Sequence, residues 1–158
     1  MHNNPIRFLL FLAALSFAPA LAFYYVGEEA IFPITSLEMW HQREWIQQPL
    51  FGGSLMHNPL YNWMIIPLAA AVGWEYMLPV ARALTIAATL GTAAVVAWLA
   101  GHVARDAQFG RFAALVYLTL ADVLLYRGWL AYVDPLFGFF VFAAIAALWV
   151  ACEEGRPG

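Results

Sequence analysis

Long apolar runs separated by short polar breaks make up most of the chain. A helix that crosses the hydrocarbon core of a bilayer, about 30 Å thick, needs about 20 residues at about 1.5 Å each. Four runs approach or exceed that length and predict transmembrane helices: residues 6–26, 78–103, 109–126 and 135–152. We therefore expect an all-α polytopic membrane protein in which residues 1–158 form a single transmembrane domain.

The first run has a second interpretation. Arg7, the apolar residues 8–17 and then Ala18-Pro19-Ala20 form a pattern typical of a cleaved signal peptide. The apolar run nevertheless continues to Tyr24 and Tyr25, and aromatic pairs of this kind are typical of the interfacial end of a membrane anchor. We favour the anchor and keep cleavage as the alternative.

Residues 27–58 form the one substantial polar loop, and no stretch of it is apolar enough to cross a membrane. Pro33 is expected to stop any helix that enters from Glu28. The next residues, Thr35-Ser36-Leu37-Glu38, have the pattern of a capping box that begins a short helix toward Trp45. The apolar side chains of this helix favour a position in the membrane interface rather than across it.

A shorter apolar run follows the loop. Residues 59–72 cover only about 20 Å as a helix, which is too little for a full crossing. Pro67 lies inside this run and lacks the N–H group that a helix interior uses. The run predicts a re-entrant or interfacial helix that is broken at the proline.

The composition agrees with a membrane protein and excludes several other classes. Hydrophobic residues make up 64% of the chain and charged residues 11%, whereas soluble domains average about half apolar and about a quarter charged. The formal net charge is -3 and every basic side chain is arginine, so no basic surface is available for nucleic acid. The single cysteine, Cys152, excludes an intrachain disulfide and a cysteine-cluster metal site, and its apolar surroundings predict a buried thiol.

The distribution of arginines favours one orientation in the membrane. Cytoplasmic loops carry more basic residues than loops on the other side. With the N-terminus in the cytoplasm, Arg7, Arg105, Arg111 and Arg156 lie inside, and Arg43, Arg82 and Arg127 lie outside. This orientation makes the loop of residues 27–58 extracytoplasmic, and we expect the membrane to be the plasma (inner) membrane.

Ionisable side chains that are typical of catalytic or binding sites lie at both ends of the polar loop. Glu28 and Glu29 directly follow the first apolar run at the membrane surface, where a carboxylate is placed for general-base catalysis. The alternative is an ordinary acidic pair outside an anchor. His57 precedes Asn58-Pro59, which has the pattern of a helix cap with proline in the first turn, so His57 is either a ligand or a surface residue.

Charged residues also lie within or between the later runs. Asp122 falls in the middle of residues 109–126, where a carboxylate indicates a functional site unless it lies near the interface. Arg127 and Asp134 flank the break between the last two runs and are expected to form an ion pair. Arg82 lies near the start of its run, where it either binds a lipid phosphate or extends its guanidinium toward the interface.

Several short motifs follow one another in a characteristic order. The motifs are Glu28-Glu29-Ala30, Glu44-Trp45-Ile46, His57-Asn58-Pro59-Leu60-Tyr61-Asn62-Trp63, Ala81-Arg82-Ala83-Leu84 and Ala131-Tyr132-Val133-Asp134-Pro135. Their succession over residues 24–150 resembles the N-terminal part of the GT-C membrane glycosyltransferases, specifically the superfamily of protein O-mannosyltransferases and aminoarabinose lipid A transferases. In that family an acidic pair follows the first transmembrane helix, and the other motifs come in the same order.

The resemblance implies an enzyme that transfers a sugar from a polyprenyl-phosphate donor to an extracytoplasmic acceptor with inversion. It implies that Glu28, with Glu29 beside it, is the general base, and that Arg82 or Arg127, alone or with a divalent metal ion, stabilises the phosphate leaving group. The remaining substrate contacts that it implies are His57, Asn58, Tyr61 and Asp134. If so, Glu28, His57 and Asp134 should converge on one cavity.

Members of this family are several times longer than 158 residues. We therefore expect the chain to be a fragment or one piece of a split enzyme, with the membrane lipid, the sugar donor and the missing remainder as partners. The alternative is a non-catalytic membrane module, such as a transporter subunit or an assembly partner, in which Asp122 matters more than Glu28.

Overall fold

The computed structural model describes residues 5–154, without the side chain of Glu154, and 75% of it is helical. Six α-helices follow in chain order: α1 (Pro5–Leu15), α2 (Ile31–Gln42), α3 (Leu60–Val72), α4 (Met77–Ala104), α5 (Ala107–Thr119) and α6 (Asp134–Glu154). Short 3-10 turns cover Ala18–Ala22 and Trp74–Tyr76, and a π-helical turn covers Val123–Arg127. Strands β1 (Gln48–Leu50) and β2 (Gly53–Leu55) form a hairpin. The predicted all-α class is confirmed, with this hairpin added.

Three helical segments of the described chain are long and apolar enough to cross a membrane. They are Pro5–Ala22, Trp74–Ala104 and Asp134–Glu153. They correspond to the first, second and fourth predicted spans, although the first ends at Ala22 rather than near residue 26. The Cys152 thiol, predicted to be buried, is exposed because it lies on an uncovered face of α6.

The third predicted span, residues 109–126, is not a continuous helix. Helix α5 has 13 residues and ends at Thr119, because Leu120 adopts an extended conformation with φ -57° and ψ 132°. A helix of that length covers only about 20 Å, which is short of a hydrocarbon core. The prediction of four spans therefore counted one apolar segment whose second half is not α-helical.

Helix α2 begins earlier in the polar loop than the capping-box pattern predicts. It begins at Ile31, and Pro33 lies in its first turn, where a helix does not need the missing N–H group. The hydroxyl of Thr35 donates to the Ile31 carbonyl at 2.6 Å, so it bonds inside the helix instead of capping it. The helix ends at Gln42 rather than near Trp45, since Arg43 adopts a left-handed conformation with φ 60°.

Helix α3 contains Pro67 without a break, so the predicted interruption is wrong. Its 13 residues remain too short for a full crossing, as predicted. The hairpin before it was not predicted. Gln48 pairs with Leu55 and Leu50 with Gly53, and the two turn residues between the strands both have positive φ. Such a two-residue turn matches the twist of an antiparallel hairpin.

Helix α4 is the centre of the membrane-spanning part and packs most extensively against α5 and α6. Glycines allow the close approach: a Cβ on Gly110 of α5 would overlap the Ala97 carbonyl oxygen of α4 and lie 2.9 Å from the Gly101 nitrogen. On the other side, a Cβ on Gly91 of α4 would lie 2.8 Å from the Phe139 ring of α6. Small residues therefore set the helix spacing, as in many membrane bundles.

Candidate functional site

A fully buried ion pair between Glu29 and Arg82 joins the first span to α4. Arg82 Nε donates to Glu29 Oε2 at 3.0 Å, and Nη2 donates to Glu29 Oε1. The carbonyl oxygens of Ala20, Phe23 and Tyr24 accept the remaining guanidinium N–H groups at 2.6, 2.7 and 2.8 Å. All five N–H donors of Arg82 are thus used, and the side chain has an exposed fraction of 0%.

Glu29 is also fully buried and hydrogen-bonded through both carboxylate oxygens. Its Oε1 accepts from the Val26 backbone N–H at 2.7 Å, and its Oε2 accepts from the Ala131 backbone N–H at 3.1 Å. The carboxylate therefore ties the end of the first span to α4 and to the connection that precedes α6. This burial argues against the predicted catalytic role of Glu29 and against phosphate binding by Arg82, because neither side chain reaches a surface.

The same network bears on the signal-peptide alternative. Cleavage after Ala20 would remove α1 and the buried Phe17 from the fold, and it would cut the chain at a carbonyl that Arg82 uses. Since α1 also packs against α5, the first segment belongs to the folded unit, which favours the anchor.

Glu28, the neighbour of Glu29, has an exposed side chain. Its backbone N–H faces the Tyr132 hydroxyl and lowers the pKa of that hydroxyl. Gly27 has φ 60°, and a Cβ there would lie 3.5 Å from the Tyr132 hydroxyl and 3.8 Å from that of Tyr126. The result is a solvent-accessible carboxylate between the buried Glu29 and the Tyr132 hydroxyl.

The Tyr126 and Tyr132 hydroxyls lie 3.4 Å apart beside this turn. The hydrogen bond with Tyr126 and partial burial raise the pKa of Tyr132, and the Glu28 backbone N–H partly offsets this rise. Because the pKa of Tyr132 is raised above its ordinary value, its hydroxyl is neutral near pH 7 and remains able to donate a hydrogen bond. Sequence reasoning did not single out either hydroxyl, because nothing in the sequence places them next to Gly27.

The three candidates around residue 57 separate in the structure. Tyr61 is buried, and its hydroxyl donates to the Ala81 carbonyl at 2.7 Å and lies 2.8 Å from the Thr85 hydroxyl, which argues against a substrate contact. Asn58 is exposed and accepts from the Leu60 N–H at 3.0 Å, as expected of a helix cap. His57 is exposed, and its ring packs edge-on against Phe32 with the centroids 6.1 Å apart.

A buried polar cluster joins α2, β1 and α3, and little in the amino-acid sequence indicated it. Asn62 donates to the Ser36 hydroxyl at 2.9 Å and to the Phe32 carbonyl at 3.1 Å, and it accepts from Gln48 Nε2 at 3.0 Å. The one available sign was an amide, Asn62, inside an otherwise apolar helix. This cluster holds the polar loop against α3 and thereby sets the position of His57, whose N–H donates to Gln48 Oε1 at 3.2 Å.

Arg127 lies between two carboxylates. Its Nη1 donates to Asp134 Oδ2 at 3.3 Å, which is the predicted pair, and its Nε lies 3.5 Å from Asp122 Oδ2. Asp122 is therefore not in the middle of a span: it follows the end of α5 and precedes the π-helical turn. The three side chains line a cavity of about 310 Å³ together with Thr89, Thr92 and Tyr117.

An apolar groove of about 320 Å³ runs along another face of α6. Asn58 lies at its polar end, and the other lining residues are Leu60, Val133, Leu136, Phe137, Phe140, Val141 and Ala144. Neither the charged cavity nor the groove brings Glu28, His57 and Asp134 together, as the resemblance implies they should. Asp134 lines the charged cavity, whereas Glu28 and His57 line neither the cavity nor the groove.

The residues present do not fit a metal ion. Among residues 5–154, no three His, Cys, Asp or Glu side chains come together as metal ligands would. Glu28, the predicted general base, has no second free acid beside it, because Glu29 is paired with Arg82. No metal-dependent step is therefore derived for this chain.

Comparison with known proteins adds no family assignment. No protein-family model matches the sequence, and no solved structure matches the fold.

Proposed function

We propose that the chain is a glycosyltransferase, or the N-terminal part of one, that transfers a sugar from a polyprenyl-phosphate donor to an extracytoplasmic acceptor. The proposal rests on the ordered motif resemblance and on one observation about Glu28. Its carboxylate is exposed, and the next residue, Glu29, is held in place by its buried pair with Arg82. A free carboxylate on a rigid turn is the arrangement that general-base catalysis requires.

In the proposed reaction, Glu28 accepts the proton of the acceptor hydroxyl. The acceptor oxygen then attacks the anomeric carbon, the bond from that carbon to the donor phosphate oxygen breaks, and the sugar inverts its configuration. The Tyr126 and Tyr132 hydroxyls lie where they can orient the acceptor or the sugar. Arg82 takes no part, because its five N–H groups are occupied within the fold.

The membrane arrangement belongs to the same proposal. We place residues 27–58 on the extracytoplasmic side of the plasma (inner) membrane, where a lipid-linked donor meets its acceptor. The apolar groove on α6 suits the prenyl chain, because its lining is apolar except for Asn58 at one end. Asn58 and Val133 then bring the donor headgroup toward the turn that carries Glu28 and Tyr132.

The deciding experiment measures transfer of radiolabelled sugar from polyprenyl phosphate by the full-length protein in membranes. Glu28→Gln should lower the rate by about 10²–10⁴-fold, the usual contribution of a general base. Glu75→Gln removes an exposed carboxylate that lies outside the five motifs and should leave the rate unchanged. Equal rates for wild type and Glu28→Gln would show that Glu28 is not the base, and no transfer by the wild type would remove the enzymatic proposal.

The second candidate function is a non-catalytic membrane module. The charged cavity around Arg127 favours it, since exposed charges beside spanning helices are typical of assembly or transport sites. Under this function Asp122→Asn has a larger effect than Glu28→Gln on complex formation or transport. A polyprenyl phosphate would then fail to raise the thermal unfolding temperature of the protein, whereas a donor-binding enzyme would be stabilised by it.

A further inference from the structure

The signal-peptide pattern Ala18-Pro19-Ala20 is present in the chain although the segment before it belongs to the folded unit. Signal peptidase cuts after a small residue that is preceded, two positions earlier, by another small residue. The bond that fits this rule joins Ala20 to Leu21. It lies at the polar-loop end of the span Pro5–Ala22, directly after the apolar run that the pattern requires. The residues around the bond therefore match a processing site.

The backbone around this bond is folded into a turn. Residues Ala18–Ala22 form a 3-10 helix with Pro19 in its first turn. The Ala20 N–H donates to the Phe17 carbonyl at 3.1 Å, and the Phe23 N–H donates to the Ala20 carbonyl at 3.3 Å. Ala20 has an exposed fraction of 3%. Proteases cut segments that are exposed or that open transiently, so this turn has to open before the bond can be hydrolysed.

Arg82 binds the carbonyl oxygen of the bond itself. Its Nη1 donates to the Ala20 carbonyl at 2.6 Å and to the Phe23 carbonyl at 2.7 Å, and its Nη2 donates to the Tyr24 carbonyl at 2.8 Å. A peptidase stabilises the negative charge that develops on the oxygen of the bond it cuts, and it does so with its own hydrogen-bond donors. The guanidinium therefore holds the atom that the peptidase has to bind.

Other buried groups hold Arg82 in this position. Glu29 forms the buried ion pair with it, and the indole ring of Trp129 lies 5.4 Å from Arg82 Cζ. The Phe23 ring packs edge-on against the same indole with the centroids 5.9 Å apart. Phe17, which directly precedes the turn, has an exposed fraction of 1%. The turn therefore opens only if these buried contacts break.

We propose that the bond between Ala20 and Leu21 is a latent processing site for signal peptidase and that Arg82 keeps it closed. In the reaction, water adds to the Ala20 carbonyl carbon and the bond to the Leu21 nitrogen breaks, which leaves a carboxylate on Ala20 and an amine on Leu21. A chain in which α4 has packed keeps its first span, whereas a chain in which Arg82 does not reach the turn loses it. The proposal rests on the extracytoplasmic position proposed for residues 27–58, which puts the bond on the side where this peptidase acts, and not on sugar transfer.

The test incubates the purified full chain with purified signal peptidase in mixed micelles. Both ends of every span are accessible in micelles, so the outcome does not depend on orientation. Mass spectrometry measures the initial rate at which the product that begins at Leu21 forms. Arg82→Gln should be cut about tenfold faster than the wild type or more, because loss of one partner of a buried ion pair costs more than about 1.4 kcal/mol, which is tenfold in the population of the open turn.

Three further variants connect this rate to the turn. Ala18 is exposed, so Ala18→Phe should leave the fold intact, and in the Arg82→Gln background it should abolish the product because the pattern loses a small residue. Tyr61→Phe removes a buried hydrogen bond to α4 but leaves the turn unchanged, so its rate should stay near that of the wild type. Phe17→Ala keeps Arg82 but removes a buried ring beside the turn, and it should raise the rate even where Arg82→Gln does not fold.

Three outcomes would overturn the proposal. Equal rates for the wild type and Arg82→Gln would show that Arg82 does not protect the bond. If neither Arg82→Gln nor Phe17→Ala gave a product that begins at Leu21, the bond would not be a site for this peptidase. An equal rise for Tyr61→Phe would show general unfolding instead of release of the turn. Orientation and sugar transfer are measured in separate experiments, so their failure is distinguishable from failure of this proposal.

Discussion

At the scale of single residues, the adjacent acids Glu28 and Glu29 have opposite environments. Glu29 is fully buried and bonded to Arg82, Val26 and Ala131, whereas the Glu28 side chain is exposed. The difference arises because Gly27, with φ 60°, turns the chain so that only the second carboxylate points at α4. A buried charge needs a partner, and Arg82 is the side chain that α4 provides.

Glu29→Gln should destabilise the fold by about 3–5 kcal/mol, because it leaves the buried Arg82 charge without its carboxylate. The measurement is unfolding of the purified protein in mixed micelles. The control is Glu28→Gln, one residue away and exposed, which should change the free energy of unfolding by less than about 0.5 kcal/mol. If both substitutions had the same small effect, the Glu29–Arg82 pair would not hold the loop to α4.

At the scale of elements, the contact between α4 and α5 depends on the absence of side chains. Gly110 lies against the Ala97 carbonyl and the Gly101 backbone, so the two helices approach with backbone on backbone. The backbone hydrogen bonds stay within each helix. Van der Waals contacts therefore hold α4 and α5 together, as expected where lipid surrounds the helices. The short α5 therefore stays attached to a helix that is more than twice as long.

Gly110→Ala should separate α4 from α5 and destabilise the protein by about 1–3 kcal/mol, the usual cost of overpacking. Gly138→Ala is the matched control in α6, because a Cβ there meets nothing within 4 Å. That control should be neutral or stabilising by up to about 1 kcal/mol, since alanine favours a helix over glycine. Thermal unfolding in detergent separates the two results, and a neutral Gly110→Ala would contradict the close approach.

At the scale of the whole molecule, three segments of the described chain are long and apolar enough to cross a membrane, with the polar loop at one end and the pair of His102 and Glu153 at the other. His102 Nε2 lies 3.6 Å from Glu153 Oε2, which places the ends of α4 and α6 together. Because Ala131, just before α6, bonds Glu29 at the polar-loop end, α5 and the connection after it return the chain from the end of α4 to the end that carries the polar loop. The side of each end is therefore a testable property of the fold.

Labelling with a membrane-impermeant maleimide tests the proposed orientation. Met56 has an exposed fraction of 100%, so Met56→Cys in a Cys152→Ser background should react in intact cells. Cys152 is exposed near the C-terminal end of α6, at the end of the molecule away from the polar loop, and should react only after the membrane is opened. The reverse pattern would place residues 27–58 in the cytoplasm, and labelling of both sites in intact cells would contradict a position on opposite sides.

Much of the fold was predictable from residue order alone. Three spans and the short apolar helix α3 follow from the length of apolar runs, because the free energy of transfer into lipid depends on composition and length rather than on neighbours. The pair of Arg127 and Asp134 also followed from its position at a break between runs. The start of α2 and the end of α5 did not, because both depend on the chains packed beside them.

Sequence by itself determined that this is a membrane protein, roughly where its helices lie, and which side chains carry charge near their ends. Only the tertiary structure decided which of those charged side chains are buried and hydrogen-bonded inside the fold. Hydropathy is a sum over neighbouring residues. The hydrogen bonds of Glu29, Arg82 and Tyr61, in contrast, are made with groups 20 to 102 positions away along the chain. Contacts at that separation exist only after the helices have packed, and among the predicted site residues they leave Glu28, His57, Asn58, Arg127 and Asp134 exposed.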